Sequence, residues 1–145
     1  MTLLRASRPL RPSLRSLMGY QRLAGTCDLL TGLLLLLIPE ATMRLMGFRE
    51  PANVASAEGI SLIGVFVLAT GLAYLVTARV PANARDWARI ETTMLITAMT
   101  RAVVSVYLIC QLTRDVMEWP WIFVAITDGS MAFIQFFGLR REWWC

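Results

Sequence analysis

Four stretches of this chain are each long and apolar enough to cross the hydrocarbon core of a bilayer, which takes about 20 residues in a helix. They run from about Leu17 to Ile38, Glu58 to Ala78, Ile90 to Leu112 and Trp119 to Leu139. No water reaches the backbone inside hydrocarbon, and an isolated strand would leave its N–H and C=O groups unpaired. Each stretch is therefore predicted to be a helix, and the fold class is all-α: an integral membrane four-helix bundle. The helix breakers Pro39, Pro51 and Pro81 lie between the stretches. Pro120 falls in the first turn of the fourth, where a missing N–H is harmless.

The connections set the topology. The second (Arg79 to Arg89) and third (Thr113 to Glu118) are short, so successive helices are expected to be antiparallel neighbours in an up-down-up-down bundle. The first, Pro39 to Ala57, is the longest, and its segment Ala41 to Phe48 reads as a short helix lying at the membrane interface. The chain thus divides into a basic arm (1–16), a bundle (17–139) and a short tail (140–145). A hydrophobic fraction of 57% and a mean hydropathy of +0.57 over 145 residues fit this class better than a soluble domain.

Arginine placement predicts orientation. The chain has no lysine and a net charge of +4. The side holding both termini carries Arg5, Arg8, Arg11, Arg15, Arg79, Arg85, Arg89, Arg140 and Arg141, against Arg44, Arg49 and Arg114 on the other. The positive-inside rule puts both termini in the cytoplasm of a bacterial inner membrane. Trp87, Trp143 and Trp144 would mark the inner interface, and Trp119 and Trp121 the outer one. The arm is rich in arginine, serine and leucine and free of acids, a composition shared with mitochondrial transit peptides, so a mitochondrial inner membrane is the alternative. A secretory signal is disfavoured, because the first apolar stretch contains Asp28 and ends in Pro39-Glu40. Pro9 and Pro12 argue against one continuous helix in the arm. The arm and tail, through Arg5, Arg8, Arg11, Arg15, Arg140, Arg141, Trp143 and Trp144, are expected to contact anionic headgroups or a partner protein.

Asp28, Arg101 and Asp128 each fall near the centre of an apolar stretch. Charge at that depth is costly, so such residues face the bundle interior and pair. Arginine suits the purpose because its planar fork stays protonated. Arg101 and Asp128 lie on helices joined by a short loop and form the expected pair, with Asp28 as second partner. A fully ionised triad would be net negative, so one aspartate is expected to hold a proton. The cluster reads as a register-fixing lock or, alternatively, as a binding or proton-carrying site. Gln21, Gly25, Asp28 and Gly32 share one helical face, as do Thr97, Arg101 and Ser105, and Trp121, Asp128 and Gln135. Gly25/Gly32 and Gly64/Gly71 are spaced to allow close helix approach. Glu58 and Glu91 are expected in the first turns of their helices, where the helix dipole accounts for them.

Other chemistry has little support. There is no histidine, which removes the usual general base and the commonest haem and metal ligand. Cys27, Cys110 and Cys145 have no ligand spacing. Ser105, Ser130 or a cysteine would lack a histidine to activate it. No catalytic residue, metal site or ligated cofactor is predicted.

The layout resembles the DoxX-like group of small four-helix bacterial membrane proteins. The resemblance rests on Gly25-Thr-Cys-Asp-Leu-Leu-Thr-Gly32 leading to Pro39, on Leu45 to Phe48, on Gly59, Gly64 and Gly71, and on Thr100-Arg101. It covers residues 20–139 and omits the arm and tail. It implies a four-helix membrane fold, and kinship with quinone-linked oxidoreductase subunits or accessory parts of larger assemblies; it transfers no functional residue. Sequence and resemblance together predict a non-catalytic accessory or scaffold subunit. Its expected partners are other membrane subunits and anionic lipids, not nucleic acid. The alternative is a lipid or quinone binder, or a proton-coupled carrier, built on Asp28, Arg101 and Asp128.

Overall fold

The computed structural model describes residues 12–48, 54–78 and 84–140. Among these there is no strand. The helices are α1 (Pro12–Leu37), α2 (Pro39–Leu45), α3 (Val54–Thr77), α4 (Ala84–Leu112) and α5 (Trp121–Arg140). Three helical segments are long and apolar enough to cross a membrane: Glu58–Thr77, Arg85–Leu112 and Trp121–Arg140. Helix α1 has 26 residues but is not among them, because Gln21, Arg22 and Asp28 interrupt its apolar run.

The helices outrun the apolar stretches at their polar ends. Helix α1 begins at Pro12 rather than Leu17, so part of the expected arm is helical; proline is well suited to a first helical position. Helix α4 begins at Ala84 rather than Ile90, taking in Arg85, Asp86, Trp87 and Arg89. Asp86 lies in its first turn, where it favours the dipole, and Arg89 approaches it at 4.0 Å. Glu91 is therefore two turns inside α4, and Glu58 one turn inside α3. The dipole acts only within the first turn, so it accounts for neither Glu58 nor Glu91. Hydropathy marks where hydrocarbon would end, not where backbone hydrogen bonding ends.

Two joints fix the ends. Pro39 has no N–H to continue the ladder of α1, so the chain breaks there and restarts as α2, with Thr42 N–H and Oγ1–H both donating to the Ile38 carbonyl. Helix α2 closes in a Schellman turn. Gly47 takes a φ of +93°, its N–H donates to the Arg44 carbonyl, and Phe48 N–H donates to the Met43 carbonyl. That turn folds Phe48 back onto Leu35, Met43 and Ile60, edge-on to Trp121 with ring centroids 5.3 Å apart. Trp121, expected as an interface anchor, is thus a packing residue, whereas Trp119 is exposed. The α4–α5 joint uses the same device with Asp115 at φ +54°: Asp115 and Val116 N–H donate to the Leu112 and Gln111 carbonyls.

The long helices associate as two pairs. Helices α1 and α3 pack antiparallel along most of their length, as do α4 and α5, while direct backbone approach between the pairs is sparse. Glycine makes the first pair possible. A Cβ on Gly32 would lie 2.4 Å from Leu68 N, one on Gly71 2.5 Å from Leu29 N, and one on Gly64 2.8 Å from Leu36 N. Only a missing side chain allows backbones to run this close. Gly25 faces Tyr74 Cβ at 2.9 Å in the same interface.

Polarity is arranged inside out. The buried set includes Gln21, Thr97, Arg101, Ser105 and Gln135, while Leu30, Phe66, Val103, Phe123, Ile126 and Phe133 are exposed. Soluble proteins rarely present apolar surface this extensive and continuous. An apolar solvent around the helices removes the contradiction, because lipid tails are as apolar as leucine.

Candidate functional site

The site is built where the two helix pairs meet. Asp28 comes from α1, Arg101 from α4 and Asp128 from α5. Arg101 Nη1 donates to Asp128 Oδ1, and Nη2 donates to Asp28 Oδ2. One planar guanidinium therefore spans both pairs, each carboxylate receiving a separate N–H rather than sharing a two-toothed grip. The Arg101 side chain is 9% exposed, and Asp28 and Asp128 are 14% and 17% exposed. Desolvated pairs of this kind need good geometry and further hydrogen bonds to offset the loss of hydration. With both carboxylates ionised the group carries one net negative charge.

A second polar layer lies beside the triad. Gln135 Nε2 donates to Tyr74 Oη, Tyr74 Oη–H donates to Thr97 Oγ1 at 2.9 Å, and Thr97 Oγ1–H reaches the Thr93 carbonyl at 2.8 Å. Gln21 is fully buried. The layer draws on α1, α3, α4 and α5. On the far side of Arg101, Ser105 Oγ–H donates to the Ala125 carbonyl at 2.7 Å. A Cβ on Gly129 would meet Ser105 Oγ at 2.8 Å, so glycine is what lets α5 approach α4 here. Ser105→Ala should lower the thermal midpoint modestly, since interhelical bonds in membranes contribute about 0.6–2 kcal/mol. An unchanged midpoint in a detergent melt would show that the bond contributes nothing.

The sequence-predicted residues fall into two groups. Asp28, Arg101 and Asp128 are brought together, with Thr97, Ser105, Gln21 and Gln135 around them. Of the basic contact set, only Arg15 and Arg140 lie among the described residues. Arg15 lies in the first turns of α1, and Arg140 is exposed in the last turn of α5, favourably placed for the helix dipole. Arg5, Arg8, Arg11, Arg141, Trp143 and Trp144 lie outside the described residues. Tyr74 is the member that sequence reasoning passed over. Its signal was a phenol inside an otherwise apolar helix, which when buried requires a hydrogen-bond partner. Among the described residues no group of three or more His, Cys, Asp or Glu is placed to hold a metal, and Cys27 and Cys110 are free and exposed.

No family model, curated protein or solved structure matches the chain.

Proposed function

We propose that this chain is a non-catalytic integral membrane protein with four spans, acting as an accessory or scaffold subunit of a larger membrane assembly. In this reading α1 is the fourth span. At 26 residues and about 1.5 Å per residue it is long enough; Asp28 is neutralised by Arg101, and the exposed Arg22 lies five residues past Leu17, the start of the apolar stretch, from where a long side chain can reach toward the headgroups. The observation that carries the proposal is the division of Arg101 between Asp28 and Asp128. A guanidinium fastened to one carboxylate from each helix pair fixes the pairs against each other, which is the work of a structural lock.

Orientation and site of action follow from charge. The arginine bias between the two sides supports cytoplasmic termini in a bacterial inner membrane, with a mitochondrial inner membrane as the alternative. The arm and tail then face anionic headgroups or a neighbouring subunit. The test is to tag the C-terminus, solubilise native membranes in mild detergent and identify what co-purifies. A stoichiometric set of larger subunits is the expected result; a lone chain or homo-oligomer would sink the accessory role. A reporter fused after Cys145 should be active only on the cytoplasmic side.

A second reading is a binder of a lipid or quinone headgroup, or a proton-coupled carrier, at the same triad. What favours it is hydrogen-bonding capacity near Arg101 that no protein group fills. It predicts that Asp128→Asn leaves a well-assembled protein that no longer dissipates an imposed proton gradient in proteoliposomes.

A further inference from the structure

The triad and the Tyr74 layer leave buried polar groups unmatched. Gln21 is fully buried, and neither its Nε2 nor its Oε1 has a protein partner. Gln135 Oε1 and Arg101 Nε are also buried without one. These atoms belong to one region. Gln21 precedes Asp28 by seven residues on α1, and Gln135 follows Asp128 by seven on α5. The two helices run in opposite directions, so both amides lie on the same side of the triad, about 10 Å along the bundle axis. Thr97, one turn before Arg101 on α4, lies on that side too.

Apolar packing closes both ends. Beyond the amide layer come Leu17, Met18 and Ile90, with Met94 packed against them at its level. Beyond the triad come Leu35, Met43, Phe48 and Ile60, capped by the Schellman turn of α2. Between these plugs the buried apolar side chains on α1, α4 and α5 are small: Ala24, Ala98 and Ala132. A buried donor or acceptor left unmet forfeits its hydration with nothing in return, and four such atoms weigh heavily on a marginally stable fold. Proteins resolve this with internal water, which makes about three hydrogen bonds where a site is polar.

We propose that the two polar layers bound an occluded hydration site. Waters in series there accept from Gln21 Nε2 at one end and Arg101 Nε at the other and donate to Gln21 Oε1 and Gln135 Oε1, linking the amide layer to the triad. The unmet groups call for a small neutral molecule that both donates and accepts. Two apolar plugs leave no exit along the axis for a lipid tail. The proposal is independent of the accessory role, since internal water serves a lock as readily as a carrier.

The test is radiolytic hydroxyl footprinting of the full chain in lipid nanodiscs, in which bound water generates radicals beside the residues it touches. Tyr74 is fully buried and Phe48 is 6% exposed. The site predicts that Tyr74 is modified several-fold faster than Phe48; a rate at or below that of Phe48 overturns it. Gln21→Leu supplies a second readout. If Gln21 is hydrated, the variant melts several degrees lower and loses the excess label at Tyr74. If the amide is dry and unmet, the variant melts higher, and the proposal fails.

Discussion

Arg101→Met is expected to deplete the protein from its membrane and to abolish a cooperative melt. The substitution leaves Asp28 and Asp128 buried with no countercharge. Removing one partner of a buried ion pair destabilises by about 3–5 kcal/mol, because the remaining charge stays desolvated. Here two charges remain, against a typical total of about 5–15 kcal/mol. Arg101→Lys should recover little, since a compact ammonium lacks the planar fork that reaches two helices at once. The carboxylates behave differently. The triad holds two acids and one base, so Asp28→Asn or Asp128→Asn alone leaves a neutral pair and is expected to cost clearly less than Arg101→Met, with Asp28→Asn, which removes the ionic link between the helix pairs, the costlier of the two. The double variant strands the guanidinium and should fall as far as Arg101→Met. The three Asp→Asn proteins form a double-mutant cycle with strong non-additivity. Equal and additive losses, or normal abundance of Arg101→Met, would show that the triad is not a lock.

The second large effect is expected at the glycine contacts of α1 and α3. Gly32→Ala and Gly71→Ala each place a methyl against backbone, at 2.4 Å and 2.5 Å from the nearest nitrogen. Backbone cannot swing aside as a side-chain tip does, so the helices must separate along the interface. Overpacking of this kind costs about 1–3 kcal/mol per site, and the pair together should approach unfolding. Gly59→Ala is the control, because a Cβ there meets nothing within 4 Å. That change should be neutral or stabilising, by up to about 1 kcal/mol, from helix propensity alone. Thermal midpoints of the three variants in one detergent decide the matter. If Gly32→Ala melts like Gly59→Ala, the close approach is not what holds the pair.

What could be read from the sequence depended on how loudly each feature violates its surroundings. A charge in the middle of an apolar run stands out, and Asp28, Arg101 and Asp128 were legible for that reason. The small residues at Gly25, Gly32, Gly64 and Gly71 were legible as places of close approach, but not as partners of one another. Pairing requires knowing which faces meet, and a single helix pattern does not encode that. Tyr74 was hidden because its ring is as apolar as its neighbours and only one atom betrays it. Helices α1 and α4 start before their apolar stretches: at α4, Asp86 favours the dipole while lowering hydropathy, and at α1, Pro12 suits a first helical position. The extra turns of α4 bring Trp87 against the core beneath the amide layer.

The pairwise architecture also bears on how the chain reaches its membrane. Each glycine-lined or serine-bonded pair consists of helices close in sequence, so each can close as a hairpin on emergence. The lock cannot. Asp28 is separated from Arg101 by 73 residues, which at about 5–20 residues per second is several seconds of synthesis. Throughout that interval the first hairpin carries an uncompensated carboxylate. Its retention at the insertion machinery, or at the lipid boundary, until the second hairpin arrives would make Arg101 the residue that ends biogenesis. A ribosome stalled before that point should leave a chain extractable from the bilayer, and one stalled well beyond Asp128 should not.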